Sequence, residues 1–263
     1  AYKYGVEDAG ALYAWGRGYK GSLGLNQTHD FFVSSPTQIP GNTWILSNTG
    51  RDGSHFNVIK SNGTLWSWGY NGEGQLGQNS NVKYSSPVQI PGTTWSDVAS
   101  ASYTLSCCTF ALKTNGTLWS WGYNGGGQLG LNNKTKYSSP TQIPGTTWAS
   151  LPENNGWWRS NAGMAAIKTD GTLWTWGKND VGGLGHNNKT NYSSPKQVPG
   201  TTWSKVTSFG TTLAAVKTDG TLWAWGNNGV GELGQNTQGE NSRYSSPVQI
   251  GSETDWTRVS GGH

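Results

Sequence analysis

Thr64–Trp95 reads TLWSWGYNGEGQLGQNSNVKYSSPVQIPGTTW, and Thr117–Trp148 repeats it as TLWSWGYNGGGQLGLNNKTKYSSPTQIPGTTW. Outward from these two copies, a Trp-Gly pair recurs at Trp15-Gly16, Trp68-Gly69, Trp121-Gly122, Trp176-Gly177 and Trp225-Gly226, at spacings of 53, 53, 55 and 49 residues. Each copy carries four short strand candidates, as in Trp95–Val98, Phe110–Lys113, Thr117–Trp121 and Ser139–Ile143, separated by Gly, Asn and Pro. Lys-Thr-Asn-Gly and Lys-Thr-Asp-Gly between the second and third candidates are tight hairpin turns, because Asn-Gly and Asp-Gly accept positive φ. Four antiparallel strands in each repeat of about 53 residues, without helical periodicity, predict an all-β fold. The expected architecture is a single five-bladed β-propeller of four-stranded blades spanning residues 1–263.

The termini carry their own signal. Aligning the last Trp-Gly pair with the first places Ala1 opposite Thr211, and aligning Trp256 with Trp203 places His263 opposite Gly210. The expectation is a ring closed by a C-terminal strand near Thr257–Val259, which completes the blade beginning near Tyr4–Val6 and leaves no exposed sheet edge. Within each blade, the period of two puts both Trp of Leu-Trp-Ser-Trp on one face. The residue between the two aromatics, Tyr13 and Trp15 in the first copy and two Trp in the others, is Ala14, Ser67, Ser120, Thr175 or Ala224, always small, so the bulky face of one blade can enter the next.

Composition narrows the function classes. Gly is abundant at 40 residues and charged residues make up only 12%, but 16 Trp and 11 Tyr supply the apolar area that disordered chains lack. The net charge of +4 is spread without a run of Lys or Arg, which excludes nucleic acid as the expected partner. No apolar run approaches the roughly 20 residues that span a bilayer, so membrane insertion is not expected. Ala1 is followed by no signal-like segment, and a processed or trimmed N-terminus is expected. Cys107 and Cys108 are neighbours whose side chains point to opposite strand faces, which predicts buried thiols and no disulfide between them.

The succession Trp-Gly, Asn-x-x-Gly-Gln-Leu-Gly, Pro-x-Gln-Ile and a strand ending in Lys-Thr-x-Gly resembles the repeats of the regulator of chromosome condensation family. Gly74-Gln75-Leu76-Gly77 and Gly127-Gln128-Leu129-Gly130 match most clearly. The resemblance implies a rigid toroid whose loops bind partners. Its members are usually seven-bladed, and five repeats are a departure. His55 looks like the family's Gly-x-x-His position, which Cys108, Gly163 and Thr212 occupy in other copies.

Catalytic patterns are sparse. Gly72-x-Gly74-x-x-Gly77 and its copies match a dinucleotide fingerprint, but a strand signal follows where a phosphate-binding helix is required. The acids recur only in turns, at Asp8, Asp170 and Asp219, and His29, His55, His186 and His263 hold unrelated repeat positions. No cofactor and no metal are expected. Lys60, Lys113, Lys168 and Lys217 share one repeat position, which reads either as strand-end solvation or as a partial ring attracting anions.

Loop lengths point to the binding surface. From each Pro-Gly-Thr-Thr-type Trp to the next hairpin Gly the separations are 19, 21, 23 and 17, whereas the Lys-Thr-Asn/Asp-Gly-Thr and Ile-Pro-Gly-Thr-Thr-Trp connections barely change. Variation therefore collects after strands one and three, at one end of the blades, where binding usually resides. The longest such loop holds Asn154, Asn155, Trp157, Trp158 and Arg159, residue types favoured at binding hot spots. The sequence reading is a non-catalytic binding or adhesion module for a protein or glycan, extracellular or on a virion-like particle surface. Its alternatives are a propeller glycoside hydrolase and a structural block of a larger assembly.

Overall fold

Asn-Gly and Asp-Gly turns fold each repeat into an antiparallel meander. The computed structural model describes residues 2–6, 10–27, 31–49, 54–103, 106–152, 163–239 and 242–260. Five sheets follow one another along the chain. The first contains β1 (Tyr2–Val6), β2 (Leu12–Arg17) and β3 (Phe32–Gln38). The second contains β4 (Trp44–Thr49), β5 (His55–Lys60), β6 (Leu65–Gly69) and β7 (Tyr84–Ile90). The third contains β8 (Trp95–Tyr103), β9 (Ser106–Lys113), β10 (Leu118–Gly122) and β11 (Tyr137–Gln142). The fourth contains β12 (Trp148–Ser150), β13 (Gly163–Lys168), β14 (Leu173–Gly177) and β15 (Tyr192–Gln197). The fifth contains β16 (Trp203–Phe209), β17 (Thr212–Lys217), β18 (Leu222–Gly226) and β19 (Tyr244–Ile250). A short 3-10 turn lies at Tyr19–Gly21.

The chain is thus all-β, with five propeller blades, and strand order follows chain order in every sheet. The first sheet has three strands, and Thr257–Val259 carries no strand assignment. Val259 instead packs beside Ala214, Ala224 and Leu233. Closure by a C-terminal strand therefore remains a proposal. By its contacts the chain falls into two compact units, Ala1–Tyr123 with Lys136–Gln142, and Asn124–Thr135 with Ile143–His263.

Within each unit one interaction joins consecutive blades. Trp68, Trp121, Trp176 and Trp225, at the Trp-Gly position of the second to fifth blades, are fully buried. Their indole N–H groups donate to the carbonyls of Ser22, Gln75, Gln128 and Gly183 in the preceding blade, at 2.9, 2.8, 2.8 and 3.0 Å. Burying about 200 Å² of indole at roughly 25 cal/mol/Å² stabilises by about 5 kcal/mol, and the hydrogen bond avoids the penalty of a dry N–H. The Gly of Gln-Leu-Gly lies against that ring, so that a Cβ on Gly130 would come within 2.8 Å of Trp176 Nε1. The small residue between the paired Trp is buried in every copy, as the large-and-small alternation requires.

The connection between strands three and four is a folded loop organised by one Asn. Asn124 is buried. Its Oδ1 accepts the Leu129 N–H at 2.9 Å, and its Nδ2 donates to the carbonyls of Asn133 at 3.1 Å and Thr135 at 2.9 Å. Asn71, Asn179 and Asn228 hold their own loops in the same way. Gly127 sits at φ +79°, where an added Cβ would come within 2.8 Å of the Ser193 side chain. The backbone N–H of Asn132 then donates to Ser193 O at 2.7 Å, and Ser194 Oγ donates to Asn132 Oδ1 at 3.1 Å. The Ser-Ser-Pro motif is therefore the receptor for the preceding blade's loop.

Replacing Asn124 by Ala leaves a buried N–H and two carbonyls without their partner, so Asn124→Ala should lower unfolding free energy by about 2–4 kcal/mol. Urea denaturation followed by Trp fluorescence checks this, and Asn133→Ala, nearer the surface, should cost less.

Candidate functional site

The two ends of each blade are built differently. At the hairpin end, Thr64 Oγ1 donates to Asn62 Oδ1 at 2.7 Å and accepts the Trp66 indole N–H at 2.9 Å. Asn115, Asp170 and Asp219 repeat this relay through Thr117, Thr172 and Thr221 to Trp119, Trp174 and Trp223. The Thr172 and Thr221 hydrogen bonds hold the Asp170 and Asp219 carboxyls below the usual carboxylate range. These acids are turn-forming groups.

The recurring lysines lie over indoles. Lys60 Nζ lies 4.3 and 4.6 Å from the ring centroids of Trp44 and Trp66, and Lys113 lies 4.7 and 4.4 Å from Trp95 and Trp119. Lys168 and Lys217 repeat the arrangement on Trp148 with Trp174 and Trp203 with Trp223. Burial pushes the Lys60 ammonium below its ordinary pKa. Cation–π attraction of about 0.5–2 kcal/mol per contact explains the recurrence of Lys without an anion. Trp44, Trp95, Trp148 and Trp203 bury their indole N–H without an acceptor. That cost of about 1–3 kcal/mol each is smaller than the gain from burying the ring.

A broad groove of about 520 Å³ opens at this end beside Lys168, Asp170, Gly171 and Trp203, but the charged groups in it are committed to the relay and the cage. The opposite end carries the connections after strands one and three. Asn154, Asn155, Trp157, Trp158 and Arg159, the sequence candidates for ligand contact, lie outside the described residues. Gly163, which opens β13, lines a small cleft with Lys178, Asp180, Val181, Ser208 and Leu213. Its volume of about 40 Å³ exceeds the roughly 10–15 Å³ needed by one water and falls far below the roughly 300 Å³ of a drug-sized ligand site. Sequence reading did not single out Ser208; comparison of equivalent positions among the repeats would have found it.

Of the remaining titratable candidates, His29 and His263 lie outside the described residues. His55, Cys108, Gly163 and Thr212 pair across the sheet with Gly69, Gly122, Gly177 and Gly226, which verifies their equivalence in the repeat. Cys107 and Cys108 are buried, and burial together with the neighbouring Cys107 pushes the Cys108 thiol far above its ordinary pKa. Among the described residues no group of three His, Cys, Asp or Glu is placed to hold a metal ion. His186 Nε2 lies 2.9 Å from Thr175 Oγ1, its ring meets Tyr192 edge-on at 5.2 Å, and Lys196 adds a repelling charge.

The family model described as Regulator of chromosome condensation (RCC1) repeat matches residues 9–51, 62–108, 115–150, 170–211 and 219–263. The chain belongs to this family. Among RCC1-repeat relatives, the Ultraviolet-B receptor UVR8 of Arabidopsis thaliana is 28% identical over 194 residues, covering 72% of this chain and 42% of UVR8. The chain thus spans less than half the length of that relative. Human WBSCR16 matches with a TM-score of 0.72 at 19% identity, covering 94% of this chain and 63% of that one. Prp20p from Saccharomyces cerevisiae matches with a TM-score of 0.73 at 20% identity, covering 92% of this chain and 59% of that one. At such identity these structures share the fold alone. Prp20p is described with binding properties to Gsp1p and histones, and yeast Prp20 has also been solved with Kap60 bound to it.

The setting of His186 makes stability depend on pH. Burial, with Lys196 beside it, holds His186 down to about 4 in the folded chain, while the unfolded chain takes up the proton near the ordinary 6.5. The unfolded state therefore binds more protons between these values, and stability should fall as pH drops from about 6.5 to about 4. Melting temperatures across this range should show the loss. His186→Gln should flatten that part of the profile, because Gln78 and Gln235 occupy the same repeat position and donate to the carbonyls of Gln89 and Gln249.

Proposed function

We propose that this chain is a non-catalytic module that binds a protein partner through the connections after strands one and three. The observation that carries this reading is the contrast between the blade ends. At one end, near-identical hairpins commit their Asp, Lys, Thr and Trp groups to internal relays and cages. At the other, buried Asn residues hold a constant loop frame in which the residue two positions after the Asn differs between copies: Glu73 in one, Gly126 in the next, then Val181 and Val230. A rigid frame with variable outward groups limits the ordering cost of binding. Recognition of Gsp1p, histones and Kap60 by a relative of this fold supports a protein ligand. Glycan recognition, incorporation into a particle and an extracellular location are further proposals, motivated by the polar, Gly-rich composition with its 12% charged residues.

Trp157 and Trp158 are the proposed anchors of this surface, with Asn154, Asn155 and Arg159 beside them in the sequence. Affinity capture from the source proteome with the wild-type chain and with Trp157→Ala/Trp158→Ala tests the assignment. The expected result is a specific protein whose binding to the variant is weaker by about tenfold or more, at an unchanged melting temperature. Capture unaffected by this variant but lost on altering Lys168 and Asp170 would move the site to the hairpin end. A sharp fall in melting temperature would place the two Trp in the core.

A further inference from the structure

The cleft between the fourth and fifth blades contains a hydroxyl without a hydrogen-bond partner. Ser208 is only 2% exposed, lines the cleft, and has no partner for its Oγ. Buried polar groups are ordinarily paired, so an unpaired one in a cleft marks a place where a ligand can supply the bond.

The repeat shows what that ligand resembles. Ser208 pairs across the sheet with Leu213, and Leu213 with Trp225; two interfaces earlier in the chain, Ser100 pairs with Thr109, and Thr109 with Trp121. Ser208 is therefore the counterpart of Ser100. Between the second and third blades, Asn57 Nδ2 donates to Ser100 Oγ at 2.8 Å and to Thr109 Oγ1 at 3.3 Å. Asn57 pairs with Ser67, the residue between two Trp, and its counterpart pairing with Thr175 is Ala165. One interface thus carries its own carboxamide, whereas the other keeps the receiving Ser and has lost the donor.

We infer that this cleft receives the carboxamide of an Asn or Gln side chain presented by a protein partner, an inference that rests on the protein-binding reading and names the chemistry recognised. A cavity of about 40 Å³ suits the head of one side chain. At its rim Lys178 Nζ and Asp180 Oδ2 form an ion pair at 2.7 Å, and the opposed charges favour a neutral polar group over a charged one. Val181 and Leu213 supply apolar walls for the methylene that carries the amide.

The test is an NMR titration of the full chain with N-acetyl-asparagine methylamide, against N-acetyl-leucine methylamide of similar shape, so that the side-chain carboxamide is the primary amide that distinguishes the two probes. Shifts should centre on Ser208, Gly210–Leu213 and Gly163, with a dissociation constant on the order of millimolar for so small a probe. The leucine probe should bind about fivefold to tenfold more weakly, the worth of one net hydrogen bond. Ser208→Ala should erase that preference. Ala165→Asn with Leu213→Thr, which installs the pair of the earlier interface, should abolish asparagine-probe binding. Equal binding of both probes, absence of any shift, or a preference that survives Ser208→Ala would overturn the inference; the Ser208→Ala result decides if the double variant fails to fold. Capture of a partner that depends on Trp157 and Trp158, alongside a silent asparagine probe, would leave the protein-binding reading standing and defeat this one alone.

Discussion

The structure depends on an indole N–H of one blade reaching a carbonyl of the blade before it. Trp68, Trp121, Trp176 and Trp225 each bury a large ring and pair its single polar atom across the interface. A Phe would keep much of the apolar area but lose the directional bond. The position of Gly130 against Trp176 shows why the loop motif ends in Leu-Gly: any Cβ would hold the loop away from the ring. The same loop offers Gln128 O as the acceptor, so sequence motif and interface geometry are one constraint.

A second constraint acts within each blade. The Lys–Trp cages and the Asx–Thr–Trp relays occupy adjacent positions and share the first Trp of strand three, as Trp66 shows. Together they fix the hairpin end and use nearly all its polar chemistry internally. The other end is fixed from inside by an Asn that bonds only backbone groups in its main contacts, which places few demands on outward side chains. Such a division lets the outward residues diverge without loss of the fold, the physical basis for locating recognition there.

The interfaces nevertheless differ in detail. Asn57 with Ser100 and Thr109 makes a small polar network between two blades, while Ala165 and Leu213 replace two of its members elsewhere and leave Ser208 behind. Each site is equivalent by strand pairing but not by chemistry. Divergence in a repeat protein can in this way turn an internal hydrogen-bond site into a receptor without altering a single strand.

The amino-acid sequence by itself determined the all-β class, the five repeats, the four-strand meander and the burial of the paired Trp, because these follow from local turn chemistry and a period of two. It also marked the strand-one and strand-three connections as variable, although Asn154, Asn155, Trp157, Trp158 and Arg159 lie outside the described residues. Tertiary structure alone decided that the recurring Lys residues lie on indoles, that Ser-Ser-Pro receives the preceding loop, and that Ser208 lacks a partner. Each of these joins groups from different strands or blades, and strand spacing along one chain does not specify which groups meet across an interface. Among the described residues the first sheet pairs β1, β2 and β3, and its completion by a fourth strand stays a proposal from the phase of the repeats.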